Sequence, residues 1–180
     1  MNRGNLFNWL FLAVWATWLC ALSGHWTQFS WMGNWAPQLQ IALIVALAAR
    51  APVGHLPFLA LTLGLAHIAV SVDSPAAILA AALGTGALLR LARGGIQIES
   101  APVAGLLAFV IATVECAWFE FVHLRTSAAP IADWSEIELG WRAGLSTALA
   151  TIVLGRVMVN LPGVGSLLRR KTWAVGASLH

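Results

Sequence analysis

The sequence predicts an all-α, polytopic membrane protein with six transmembrane helices in one bundle. Three observations carry this. The 180-residue chain is 59% hydrophobic and only 9% charged, with a mean hydropathy of +0.80, whereas a soluble domain carries about 25% charged residues. Its apolar runs are continuous, unlike the alternating strands of a membrane β-barrel, and helices are then the elements that satisfy their own backbone in lipid. Finally, short polar turns separate the runs. In the central stretch Leu56–Gly95, two runs (56–72 and 76–91) flank Ser71, Asp73, Ser74 and Pro75, a cluster that breaks a helix and prefers water.

Taken in order, the first expected span is 6–24, rich in Trp. A signal peptide competes with it, because Ala21-Leu22-Ser23 loosely resembles a cleavage site, but Trp9, Trp15 and Trp18 are bulky for such a segment. Trp26, Trp31 and Trp35 follow in an amphipathic loop. Indole rings favour the headgroup layer, so these three read as interfacial anchors. The second span, 37–49, is short for a crossing. The third and fourth, 56–72 and 76–91, form the central hairpin. Gly94-Gly95 and Glu99 mark the next connection. The fifth span, 101–122, contains Glu115 and Glu120. A loop with Pro130, Asp133, Glu136 and Glu138 precedes the sixth span, 139–161, which Pro162-Gly163 ends before a basic tail, Arg169-Arg170-Lys171.

Charge placement sets the orientation. With the N-terminus cytoplasmic, the inner side holds Arg3, Arg50, Arg90, Arg93, Arg169, Arg170 and Lys171, with Arg156 nearby, and the outer side holds Arg125, with Arg142 nearby. That excess of inner cations follows the positive-inside rule, and six spans return the C-terminus to the cytoplasm. Because topology accounts for these cations, the net charge of +3 does not point to nucleic acid. Cys20 and Cys116 fall within apolar runs and read as small core residues.

Small residues recur every fourth position on two spans. Ala76, Ala80 and Gly84 line one, and Gly140, Gly144 and Ala148 line the other, extended by Thr151 and Gly155. Such stripes let helix backbones approach closely. They serve packing within the bundle or docking of another membrane protein, and the Gly140–Gly144–Ala148 face is the first docking candidate. Intramembrane charges are expensive and seek partners. Glu120 and Arg142 stand at similar depth on adjacent antiparallel spans, which predicts an ion pair. His67 and Glu115 stand at similar depth and form a second candidate buried pair. Glu115 and Glu120, five positions apart, fall on different helix faces. No nucleophile–base motif, phosphate loop or metal-ligand spacing occurs, so no catalytic residue, cofactor or metal is expected.

The order of features resembles the rod shape-determining MreD family. A Trp- and Pro-containing lead-in (Asn34-Trp35-Ala36-Pro37) precedes a short span. Then come Gly64 in a span, a small polar turn, an Ala/Gly-rich helix, a span with an acid (Glu115) and a last span ending in basic residues. Many members carry G-x-x-x-D at the third span. Here Gly64-Leu65-Ala66-His67-Ile68 puts His67 near the acid's place, with Asp73 further out. The resemblance implies a non-enzymatic subunit of the cell-wall elongation machinery in the bacterial inner membrane, working beside an MreC-like periplasmic scaffold, the MreB filament and RodA. It also implies the fold of energy-coupling-factor transporter S-components. A vitamin-binding S-component is therefore the alternative reading, with an outward pocket that Trp26, Trp31, Trp35 and Glu120 could line. An accessory subunit of a larger membrane complex is a third.

Overall fold

Six helices follow one another: α1 (Arg3–Thr27), α2 (Leu39–Ala48), α3 (Leu56–Ile68), α4 (Pro75–Gly95), α5 (Ala101–Thr126) and α6 (Trp134–Val159). The computed structural model describes residues 3–29, 33–126 and 134–164, with side chains over 6–29, 33–126 and 140–164. Among the described residues there is no strand. Trp31, the side chains of Asp133, Glu136 and Glu138, and the tail Arg169-Arg170-Lys171 lie outside them.

Four stretches are long and apolar enough to cross a membrane: Leu6–Thr27, Pro75–Gly95, Ala101–Thr126 and Gly140–Val159. Their outward faces are apolar. Leu6, Phe7, Leu10, Phe11, Val14 and Trp18 stand exposed along α1, and Leu106, Val110 and Val114 along α5. Exposed apolar stripes of this length belong in lipid, and the chain is a membrane protein.

The two remaining helices are shorter than the expected spans 37–49 and 56–72. Helix α2 has ten residues and rises about 15 Å, half of the roughly 30 Å hydrocarbon core. In place of 56–72, α3 has thirteen residues, and the Val70 and Ser71 amides close it by bonding back to the His67 carbonyl at 3.1 and 2.9 Å.

Helix α2 survives at that length because protein surrounds it. Nine of its ten residues are buried, as expected of a helix apolar on every side. Both ends find protein partners instead of water. At its start the Leu39 amide donates to Ser23 Oγ on α1 at 3.0 Å, and the Gln38 amide donates to Thr147 Oγ1 on α6 at 2.9 Å. At its end the Arg93 guanidinium, arriving from α4, donates to the carbonyls of Ala48 and Ala51. These bonds satisfy groups that helix ends leave open, and the cation sits where the helix dipole favours it.

Around α2 the helices pair through small residues. A Cβ on Gly64 of α3 would lie 2.8 Å from Ala82 Cβ of α4, and one on Gly86 of α4 would lie 3.0 Å from Ala60 Cβ of α3. The hairpin is thus packed backbone to backbone at two levels. Helices α5 and α6 pair the same way. A Cβ on Gly140 would stand 3.2 Å from Cys116 Cβ, and one on Gly144 would run into Thr113 Oγ1 and lie 3.1 Å from Phe109 Cδ2. Ala148 is buried, and a Cβ on Gly105 of α5 would lie 3.3 Å from its carbonyl oxygen. The face Gly140–Gly144–Ala148, expected to dock a partner, is therefore spent inside the molecule on α5. The stripe Ala76–Ala80–Gly84 has the opposite fate. All three are exposed, and a Cβ on Gly84 would meet nothing within 4 Å.

Candidate functional site: a polar cavity at the turn end of the bundle

The helices alternate in direction, so the end of α1, the start of α2, the α3–α4 turn, the end of α5 and the start of α6 share one end of the bundle. There they enclose a cavity of about 450 Å³. The wall from α1 carries Cys20 and Ser23, the segment leading into α2 supplies Gln38, and the first turn of α2 supplies Gln40. The α3–α4 side supplies His67, Ser71 and Asp73, and α6 closes the wall with Gly140 and Ala143.

Helix α5 contributes five residues, two of them carboxylates. Glu115, Cys116, Phe119, Glu120 and His123 all line the cavity. Glu115 and Glu120 lie on different faces of α5, as expected, yet both reach this one cavity. Five positions put them about 140° apart on a helix of 3.6 residues per turn, and a cavity that wraps α5 reaches both. Small residues on α6 make the room, since Gly140 and Ala143 bring no bulk to the opposite wall. A smaller void of about 30 Å³ continues inward, again lined by Gln40, His67 and Glu115.

The wall is rich in acceptors. Asp73 is held by its turn: Ser71 Oγ donates to Asp73 Oδ2 at 2.6 Å, and the Asp73 amide donates to Ser71 Oγ at 3.1 Å. Its other oxygen lies 3.1 Å from His123 Nε2, a bridge at the exposed rim that ties the α3–α4 turn to the end of α5. Gln38 Nε2 donates to Cys116 Sγ at 3.2 Å, which leaves Gln38 Oε1 buried with no hydrogen-bond partner. No Lys or Arg is among the described lining residues.

The expected pairs do not form as direct contacts. His67 and Glu115 face the same cavity, but the His67 ring meets Phe119 edge-on, 5.8 Å between centroids, and no hydrogen bond or ion pair joins it to Glu115. Among the described residues the ion pair is His123–Asp73, not Glu120–Arg142. Glu120 lines the cavity, whereas Arg142 is one helical step of about 100° from Ala143. Its guanidinium lies 5.7 Å from the centroid of the Trp141 ring, and its Nε is buried without a hydrogen-bond partner. Of the Trp residues expected at a pocket, Trp26 packs against the apolar core and Trp35 meets Trp141 edge-on at 5.7 Å.

Sequence reading passed over Gln38, Gln40, Cys20, Cys116 and Asp73 as cavity residues. Two signals were present. Gln38 and Gln40 are polar residues at the start of an otherwise apolar helix, and Glu115, Phe119 and His123 recur every four positions on α5. Compared with known proteins, the chain matches no family model, no curated protein and no solved structure.

Proposed function

We propose that the chain is a non-enzymatic membrane subunit of the MreD type, which serves the cell-wall elongation machinery of a bacterial inner membrane by binding other membrane proteins. The observation that carries this is the outward face of α4. Ala76, Ala80 and Gly84 lie exposed on a helix long enough to span. Small side chains offer lipid tails few contacts, yet they let a second helix approach closely and gain dispersion. The occupant is a transmembrane helix of an elongation partner, of which an MreC-like scaffold is the first candidate. Gly84→Leu should leave the isolated protein as stable as the wild type, because the added side chain meets nothing, and should weaken co-purification with that partner at least about tenfold if one close helix contact is lost. Unchanged co-purification argues against this face.

In this reading all six helices cross or enter the membrane, with both ends cytoplasmic and the cavity facing outward. Val72, fully exposed in the α3–α4 turn, and Ile96, exposed after α4, test it. In a cysteine-free background, Val72→Cys should react with an impermeant thiol reagent added to whole spheroplasts, and Ile96→Cys should react only after lysis. The reverse pattern overturns the orientation.

The cavity favours a second reading, a substrate-binding S-component of an energy-coupling-factor transporter. Its volume falls in the range of roughly 300–1,000 Å³ usual for small-molecule sites. An ATPase pair encoded beside this chain would favour it, and a filament protein and a periplasmic coiled coil would favour the first.

A further inference from the structure

We propose that the turn-end cavity binds a small organic cation, one bearing a protonated amine, with Glu115 as its principal anchor. The inference names a ligand class for the second reading above. It rests on the cavity alone and stands whether or not α4 docks a partner.

Glu115 is sheltered by the bundle on every side except where the cavity and its inner extension reach it. It makes no hydrogen bond or ion pair with any described residue, although an ionisable group at this depth normally has a partner. The nearest candidate, His67, is turned to Phe119. Gln38 Oε1, on the facing wall, is an acceptor without a donor. Asp73, paired with His123 at the rim, is a second carboxylate of the wall, and no Lys or Arg is among its described lining residues. An ammonium group supplies Glu115 and Gln38 Oε1 with up to three donors together with a compensating charge. A cavity of about 450 Å³ is far larger than a bare metal ion needs. Among the described residues no three His, Cys, Asp or Glu side chains converge to hold one. The ring of Phe119 gives the organic part of the ligand an apolar wall, and ring faces favour cations.

The two cysteines, Cys20 and Cys116, both line the cavity and report on it directly. The test uses the full chain in detergent, with 2-aminoethyl methanethiosulfonate as cationic reagent and 2-sulfonatoethyl methanethiosulfonate as anionic reagent. Phenethylamine and phenylacetate are the competitors. The cation should modify the protein at least about tenfold faster than the anion, by electrostatic focusing in the cavity. Phenethylamine should slow modification and phenylacetate should not. In Glu115→Gln, which keeps the side-chain shape, the rate ratio should fall severalfold and amine protection should disappear. If that variant does not fold, the wild-type ratio and the amine protection decide alone. Equal rates for the two reagents, protection by phenylacetate, or equal protection by sodium or calcium chloride at matched ionic strength would each overturn the proposal. Loss of partner binding in the α4 variant bears on the docking reading only.

Discussion

Gly144→Leu is expected to lower the unfolding midpoint of the bundle by roughly 6–12 °C or more. A Cβ at this position already collides with Thr113 Oγ1 and stands 3.1 Å from both Phe109 Cδ2 and the Phe109 carbonyl oxygen. Thr113 cannot simply turn away, because its hydroxyl is bonded to that same carbonyl at 2.8 Å. The Phe109 backbone is fixed within α5. The leucine must therefore push α5 and α6 apart along the seam that also holds Gly140 and Gly105. Overpacking costs about 1–3 kcal/mol where side chains can adjust, and the backbone contact here puts the cost at the top of that range or beyond. For a chain of this size about 3 kcal/mol corresponds to a fall of roughly 6–12 °C in the unfolding midpoint. Thermal unfolding in detergent should show this fall, while Gly84→Leu on α4 unfolds at the wild-type midpoint. A wild-type midpoint for Gly144→Leu would mean that α5 and α6 do not meet as described.

The second large effect is expected at Arg93. Its guanidinium donates to the carbonyls of Ala48, the last residue of α2, and Ala51, just beyond it, and both residues are buried. Arg93→Met keeps much of the bulk and removes both bonds. A hydrogen bond to a charged group contributes about 1.5–3 kcal/mol, and a buried acceptor left open adds a penalty, so a loss near 3 kcal/mol follows. Arg93→Lys should recover only part, since a single ammonium does not present the fork that reaches two acceptors. Thermal unfolding in detergent should rank wild type above Arg93→Lys above Arg93→Met. Equal midpoints for all three would show that the guanidinium does not cap α2.

Much of the fold is legible in the sequence because membrane helices announce themselves by apolar length. The hairpin around Asp73 and the long fifth and sixth segments are found where the apolar runs lie. What composition does not carry is the distinction between lipid and protein as neighbours. The residues of α2 are as apolar as those of a crossing, and lipid tails are as apolar as Leu, so a buried short helix and a marginal span share one signature. The same ambiguity covers the two small-residue stripes. Ala76–Ala80–Gly84 and Gly140–Gly144–Ala148 have the same spacing, yet one faces outward and the other faces α5, because the choice is made by which helices become neighbours. Arg93 reads as a topological charge, and its role as a cap depends on an end of α2 that lies 42 to 45 positions away in the chain. The cavity was the least legible feature. Its wall is assembled from five separate segments, and Glu115 and Glu120 join it only because the void wraps around α5.

The docking function is tested most directly by a photo-crosslinking amino acid placed at Gly84 on α4 in living cells, with the same probe at Val153, an exposed position on α6, as the lipid-facing control. The account predicts a crosslink from position 84 to an identified membrane protein of the elongation machinery, an MreC-like scaffold first, and none from position 153. Lipid adducts alone at position 84, or a crosslink there to the coupling subunit of an ATP-driven transporter, would contradict it.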